Sequence, residues 1–338
     1  MVTKNSADRD PLVIVTREGL YCPQADVYID PWRPVQTALI THAHADHARP
    51  GSAHYHCLSS GSELLTQRVR PPLLTSHEAH QPVKFGPITC QFVPAGHVLG
   101  SAQIRITDGE QVWVVTGDYK RIDDPSCARF EPIACDVLIT EATFALPIYR
   151  WPSMDQVMAE VLQWWDQAVR KQRQPVLYCY ALGKAQRIMA ELALRSSRDV
   201  IVHPTIAQLI PAYESQGVSL CPWQPLVKHP KPAPGSLILA PPGAQGGHLL
   251  TQFKALDEAM ASGWMQIRGV RRRRALPRGF VISDHADWDG LLRTVQETGA
   301  SRVLATHGET RVLTDYLNRQ GIQAARLATG YGQDEDHA

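Results

Sequence analysis

Between Leu12 and Thr140 the chain alternates short apolar runs with polar loops. Leu12–Val15, Ala25–Ile29, Thr37–Ile40, Ile88–Val93, Ala102–Ile106, Val112–Thr116 and Val137–Thr140 have the length and pattern of strands. The last four carry polar residues just beyond their ends, where site-forming loops belong. After Tyr149 the period changes. From Met154 to Lys171 the residues Val157, Val161, Leu162, Trp165 and Val169 share one helical face. Pro175–Tyr180 then reads as a buried strand, and Ala181–Ala190 as a loop entering a helix. Val200–His203 and Leu237–Ala240 are further strands, and Pro222–Pro234, with five prolines, is a connecting loop. Strands alternating with helices predict a small parallel α/β layer here. From Gly279 the first style returns: Phe280–Ser283 and Arg302–Thr306 read as strands, each ending in a histidine-bearing turn. The pattern as a whole predicts an α/β protein, with no internal repeat.

The run Thr41-His-Ala-His-Ala-Asp-His47 follows directly on the apolar Thr37–Ile40. Side chains alternate along an extended chain, so His42 and His44 point together, and the turn after them brings Asp46 and His47 to the same small space. A lone histidine is ordinarily a surface or core residue. Three histidines and an aspartate this close would leave several polar groups beside a buried strand end unless a cation satisfied them. The arrangement suits two ions, and paired ions activate a water and clamp the oxygens of an ester. Five other positions repeat one design, an apolar strand followed by a ligand-type side chain: His97, Asp118, Glu141, His285 and His307. Each has an ordinary alternative as a cap, turn or core residue; together, behind His42–His47, they point to a metal centre. Zinc takes imidazole and carboxylate ligands where no thiolate is offered, and Asp118 is the candidate bridging carboxylate. A histidine not occupied by metal would supply a proton to a leaving oxygen.

Composition narrows the class. The chain has 338 residues, 44% hydrophobic and 20% charged, which fits a globular protein with room for two domains. Its net charge of +1 means that any polyanion site is a local patch. Seven dispersed cysteines without a C-x-x-C pair argue against a disulfide framework and for a reducing compartment. There is no apolar leader and no apolar run long enough to span a bilayer, so a cytoplasmic protein without a membrane partner is expected. The C-terminal segment holding His337 reads as a frayed tail.

The order His42-x-His44-x-Asp46-His47, then His97, Asp118, Glu141, His285 and His307, resembles the metallo-β-lactamase superfamily. It is most similar to the β-CASP branch of nucleic-acid nucleases. The resemblance covers nearly the whole chain. It implies an αβ/βα sandwich formed by residues 1–148 and 276–338, with residues 149–275 inserted as an α/β β-CASP cap. It implies one ion held by His42, His44, His97 and Asp118, and a second held by Asp46, His47, Asp118 and His307. It further implies His285 as proton donor and Glu141 as the group that orients a histidine. Asp46, Glu141 and His285 are thus the expected catalytic residues, and two divalent ions, zinc or manganese, the expected cofactors. Gly19–Pro23 and Tyr28–Pro34 look like the bacterial ligase-associated DNA exonucleases, which implies DNA as substrate, 5′→3′ action, and work beside a ligase or helicase in repair. His307 departs from the DNA-specific eukaryotic members and is typical of RNA-processing ones, so ribonuclease action is the alternative. Small-ester or thioester hydrolysis is a third reading, and a non-catalytic scaffold a fourth.

Substrate contacts are less sharply marked. Arg268, Arg271, Arg272, Arg273 and Arg274, with Arg278 and Lys120–Arg121, form a candidate phosphate track, against the plainer reading of a solvated basic loop. Lys184 lies in a stretch that looks like the phosphate-contacting loop of β-CASP caps. Ser101 and Thr143 are weaker candidates for a terminal phosphate. Trp113, Trp151 and Trp264 are candidates for stacking on bases, against the commoner reading of core residues.

Overall fold

A computed structural model describes residues 10–228, 235–267, 269 and 278–330. The chain begins with a six-stranded sheet in sequence order: β1 (Ile14–Val15), β2 (Leu20–Cys22), β3 (Val27–Ile29), β4 (Thr37–Leu39), β5 (His54–Leu58) and β6 (Leu74–His77). The first three strands pair antiparallel and the rest parallel. A second sheet starts with the meander β7 (Val83–Phe85), β8 (Ile88–Pro94), β9 (Ala102–Thr107) and β10 (Val112–Val115), and continues to β11 (Val137–Glu141) in parallel.

The chain then leaves to build a third, wholly parallel sheet from β12 (Gln174–Tyr178), β13 (Val200–Val202), β14 (Trp223–Pro225), β15 (Leu237–Ala240), β16 (Leu256–Ala261) and β17 (Arg278–Phe280). It returns to the second sheet as β18 (Arg302–Thr306), beside β11, with β19 (Gln323–Arg326) outermost.

The first two sheets pack face to face. Leu20, Ile29 and Leu39 from one meet Phe92, Ile104, Val115 and Ile139 from the other in a shared apolar core. Burying a side chain such as Phe92 contributes about 1.5–3 kcal/mol. The outer faces are covered by helices. The first is α1 (Ser62–Val69), whose Leu65 and Val69 lie on Ala38 and Tyr55. In the inserted region α2 (Met154–Arg170) precedes β12, α3 (Lys184–Ala193) joins β12 to β13, and α4 (Pro204–Ala207) and α5 (Ile210–Ser215) lie between β13 and β14. Then α6 (Trp288–Thr298) and α7 (Thr310–Arg319) cover the second sheet through Leu291, Val295, Leu313 and Leu317. The result is an α/β sandwich of helix, sheet, sheet and helix, as the resemblance implies.

Helix α2 buries Val157, Val161 and Trp165 of the expected face against β12 and α3, with Leu162 partly buried, but Val169 is exposed and Met158, Trp164 and Ala168 complete the buried face; Ser153 caps its first turn. Asp287 caps α6 by accepting from the Gly290 N–H. The third sheet lodges against the sandwich through Leu182, Ala212 and Tyr213, which pack on Ala43, Leu64 and Leu99.

Two readings need correction. The strand expected at Phe280–Ser283 is Arg278–Phe280, and it pairs with β16 in the third sheet, so the first style does not resume at Gly279. Part of the proline-rich loop is the short edge strand β14, where Pro225 costs no ladder bond because it lies at the sheet's margin. Among the described residues, no helix is long and apolar enough to cross a membrane.

Candidate metal centre

The loop after β4 is built on one buried aspartate. Asp30, just past β3 with φ of 43°, accepts from the Thr41 N–H through Oδ1 (2.7 Å) and from the Thr41 hydroxyl through Oδ2. The same Oδ2 lies 2.7 Å from Nδ1 of His47. The Thr41 carbonyl accepts from the Ala102 N–H, tying the loop to β9 in the second sheet. Gly117 packs against the Thr41 side chain so closely that a Cβ would lie 2.6 Å from it, and its φ of 56° suits glycine. Since β4 stops at Leu39, the strand pleat does not aim His42 and His44; the anchored loop does.

Two groups of ligand-type atoms converge there. In the first, His44 Nδ1 is 3.1 Å from His42 Nε2 and 3.0 Å from His97 Nε2. Asp118 Oδ2 lies 3.5 Å from His42 Nε2 and 3.9 Å from His97 Nε2. The second comprises Asp46, His47 and His307, with Asp46 Oδ2 at 3.6 Å from His47 Nε2 and 3.9 Å from His307 Nε2. Asp118 Oδ2 is also 3.4 Å from His47 Nε2, so one carboxylate oxygen touches both groups. His307 carries a φ of 56°, a conformation uncommon outside glycine, and its ring stacks on His47.

The donor set fits metal ions. A tetrahedral ion with bonds of about 2.0–2.1 Å sets its ligand atoms about 3.3 Å apart, and the first group's spacings of 3.0–3.9 Å bracket that value. Asp46 Oδ2 and Asp118 Oδ1 are buried without a hydrogen-bond partner among the described residues, a costly state that a cation would relieve. Each histidine of the first group is oriented through its other nitrogen: His42 by Thr41 Oγ1 (3.1 Å), His44 by the Leu182 carbonyl (3.2 Å) and His97 by the Asp284 carbonyl (2.7 Å).

Electrostatics agree. Burial, with the neighbouring imidazoles, holds His42 and His97 well below the usual histidine range, in the neutral form that ligates metals. Burial alone would lower His47 too, but Asp118, Asp46 and Asp30 outweigh it and favour a positive charge there, as proton or as metal. Burial would raise Asp118 and Asp46, yet His47 and the other imidazoles keep both carboxyls well below their usual range.

Beside this pair stands a second unit. Glu141, the last residue of β11, accepts from the Tyr119 N–H through Oε1 (2.7 Å) and holds His285 Nδ1 through Oε2 (3.0 Å). The His285 ring centre is 4.7 Å from that of His97. All nine expected residues, from His42 to His307, therefore meet at one edge of the sandwich, where β4, β8, β10, β11 and β18 end.

No known family profile matches the chain. It is 29% identical over 314 residues to a protein named probable DNA ligase from Opitutus terrae, which covers 90% of this chain and 30% of that one. It is 26% identical over 197 residues to the transcription termination factor FttA of Methanothermobacter thermautotrophicus, covering 47% of this chain and 30% of that one. To FttA of Methanosarcina mazei it is 23% identical over 295 residues, or 73% and 45% of the two chains. The chain thus spans less than half the length of each of these curated relatives. Among solved structures, a protein of unknown function from Enterococcus faecalis V583 superposes with a TM-score of 0.55 at 13% identity, over 88% of this chain and 80% of that one. That likeness is one of fold.

The expected substrate contacts fare differently. Arg268 and Arg271, Arg272, Arg273 and Arg274 lie outside the described residues. Lys120 is buried in an ion pair with Asp124, and Arg121 pairs with Glu297 while its guanidinium covers Phe130; neither belongs to a solvent-facing phosphate track. Lys184 is also buried, with Nζ 3.5 Å from Asp284 Oδ2. Ser101 Oγ already accepts from the His97 and Val98 N–H groups. Thr143 is buried beside Gly308. Trp113 is core, whereas Trp151 donates to the His285 carbonyl (2.9 Å). Sequence reasoning missed Asp30 and Asp284. Asp30 carried a usable signal, since it too is an acid directly after an apolar strand; Asp284 acts through its carbonyl, which no residue type announces.

Proposed function

We propose that the chain is a metal-dependent phosphodiesterase acting on nucleic acid, a metallo-β-lactamase-type nuclease with a β-CASP cap. The observation that carries this reading is the single oxygen, Asp118 Oδ2, set between the two ligand groups, with the Glu141–His285 pair alongside. In this reading His42, His44, His97 and Asp118 hold one divalent ion, and Asp46, His47, Asp118 and His307 the other, zinc being the proposed metal and manganese the alternative. When bound, such a pair supplies a deprotonated water and clamps the phosphate oxygens. Asp30 holds His47 by Nδ1 and so presents Nε2 to the centre. Glu141 fixes Nδ1 of His285, which leaves Nε2 to give a proton to the departing oxygen.

The sandwich is assigned to residues 1–148 and 276–338 and the cap to 149–275; β17 (Arg278–Phe280), just past that boundary, nevertheless pairs with the cap's sheet. A groove of about 910 Å³ opens between α1 and the cap beside His44, lined by Arg68, Arg70, Tyr180 and Leu182 among others. Its volume and its two arginines favour a polyanionic chain over a small ester. Similarity to proteins named for DNA ligation and for transcription termination supports a nucleic-acid substrate. DNA is the preferred substrate, taken from an end and in the 5′→3′ direction, and the ligase-named relative supports work in DNA repair. The second reading, RNA cleavage, is favoured by His307 and by the FttA relatives.

One assay separates them: single-stranded DNA and RNA of matched sequence, each labelled at either end, with zinc or manganese and Asp46→Ala as control. Mononucleotides released from 5′-labelled DNA, and absent with the variant, are expected. Cleavage of RNA alone would move the chain to the RNA-processing reading. No cleavage of either would overturn the proposal.

A further inference from the structure

The histidines of the first ligand group take their orientation from the inserted sheet as well as from their own domain. His44 Nε2 is held by the carbonyl of Leu182, in the turn that enters α3. The next residue, Gly183, sits so close to the His97 loop that a Cβ there would lie 2.3 Å from Val98 Cγ1, and its φ is 93°. One turn further, Arg187 reaches Asp284: Nη1 is 2.5 Å from the Ser283 carbonyl and 3.3 Å from Asp284 Oδ1. Lys184 Nζ lies 3.5 Å from Asp284 Oδ2. The Asp284 carbonyl in turn receives Nδ1 of His97, and Lys120 donates to the His97 carbonyl (3.2 Å) while pairing with Asp124. Lys120, Asp124, Lys184, Arg187 and Asp284 are all buried. Undocking α3 would take Lys184 and Arg187 from Asp284 and leave this buried carboxylate with Lys120 alone (3.8 Å), so a docked α3 favours the position of Asp284 and of the carbonyl it carries.

We infer that Gly183, Lys184 and Arg187 are positioning residues of the metal centre, and that docking of the inserted sheet and metal occupancy are one coupled equilibrium. The inference rests on the metal reading above. Coupling is reciprocal, so metal added to the full chain also protects the 181–187 backbone from hydrogen exchange. Outer-shell partners of metal-ligating histidines are typically worth about 10- to 100-fold in affinity, and that range is expected for both Gly183→Ala and Arg187→Met. The test is zinc affinity of the full-length chain by competition with a chromophoric chelator, together with the visible absorption of the cobalt-loaded protein.

Weaker zinc binding and an altered cobalt spectrum in Arg187→Met, restored towards wild type in Arg187→Lys, support the inference. Wild-type affinity in folded Gly183→Ala and Arg187→Met overturns it. So does weaker binding with an unchanged cobalt spectrum, since that is a general loss of stability without a change at the histidines. Should Arg187→Met fail to fold, Gly183→Ala and Lys184→Met carry the same comparison. A wild-type chain that bound neither zinc nor cobalt would sink the metal reading and this inference together, whereas binding with unaffected variants would sink this inference alone.

Discussion

The molecule holds two buried histidine clusters with opposite chemistry. His42, His44, His47 and His97 sit in loops at a sheet edge among Asp30, Asp46 and Asp118. His54, His56 and His77 sit on neighbouring strands of the first sheet, β5 and β6. There His56 Nδ1 meets His77 Nε2 at 2.9 Å and His54 Nε2 meets Thr75 Oγ1 at 2.8 Å, while His56 Nε2 is buried without a hydrogen-bond partner among the described residues. The stacked His56 and His77 rings lie against Phe85 and Phe92. Burial, reinforced by His54 and His77, pushes His56 down to about 3. Among the described residues, no third ligand atom converges with that pair. Clustered histidines therefore do not make a metal centre. What sets the first cluster apart is its carboxylates, which favour a cation, and the acceptors that hold the other nitrogens of His42, His44 and His97.

The comparison can be broken most directly at the shared oxygen. Asp118→Asn is expected to cut bound metal from about two ions per chain to less than one, and cleavage to background, by metal analysis and a nuclease assay. Equal metal content in the variant would remove the bridging role. His285→Asn should behave differently: full metal content with cleavage slowed by about 10²- to 10⁴-fold. Loss of metal in that variant would make His285 a ligand instead of a proton donor. A smaller effect is expected of Asp30→Asn, which keeps the loop's hydrogen-bond acceptor but loses the charge facing His47. Metal affinity should weaken by about 10- to 100-fold, as read by chelator competition.

The smallest effect sharpens the other side. His56 titrates near 6.5 when unfolded and at about 3 when folded. Between those values the unfolded chain binds the extra proton, so this contribution to stability is intact above pH 6.5 and is lost as pH falls towards 3. His56→Gln should flatten that part of the acid dependence without altering metal content. Thermal melts of the two proteins over that interval measure it, and parallel curves would show that the strand cluster is not acid-sensitive.

Much of the site was legible because its chemistry is local. Four ligand-type residues within His42–His47 need no tertiary contact to be noticed, and His97, Asp118, Glu141, His285 and His307 each follow a readable apolar strand. Strands that broke the apolar pattern were harder. β5 alternates His54 and His56 with its apolar residues, and β19 (Gln323–Arg326) is an exposed edge, so neither announced itself. Lys120 and Arg121 looked like surface phosphate contacts because a sequence shows charge and hides burial.

What the sequence determined by itself was the α/β pattern, the change of style after Tyr149 and the kinds of ligand that gather. The tertiary structure alone decided that Asp118 presents one oxygen to both groups, that Asp30 fixes His47, and that Leu182 and Asp284 aim His44 and His97. The reason is physical: residue type sets which atoms can ligate, whereas their direction is set by hydrogen bonds to backbone carbonyls and buried charges far away in the chain.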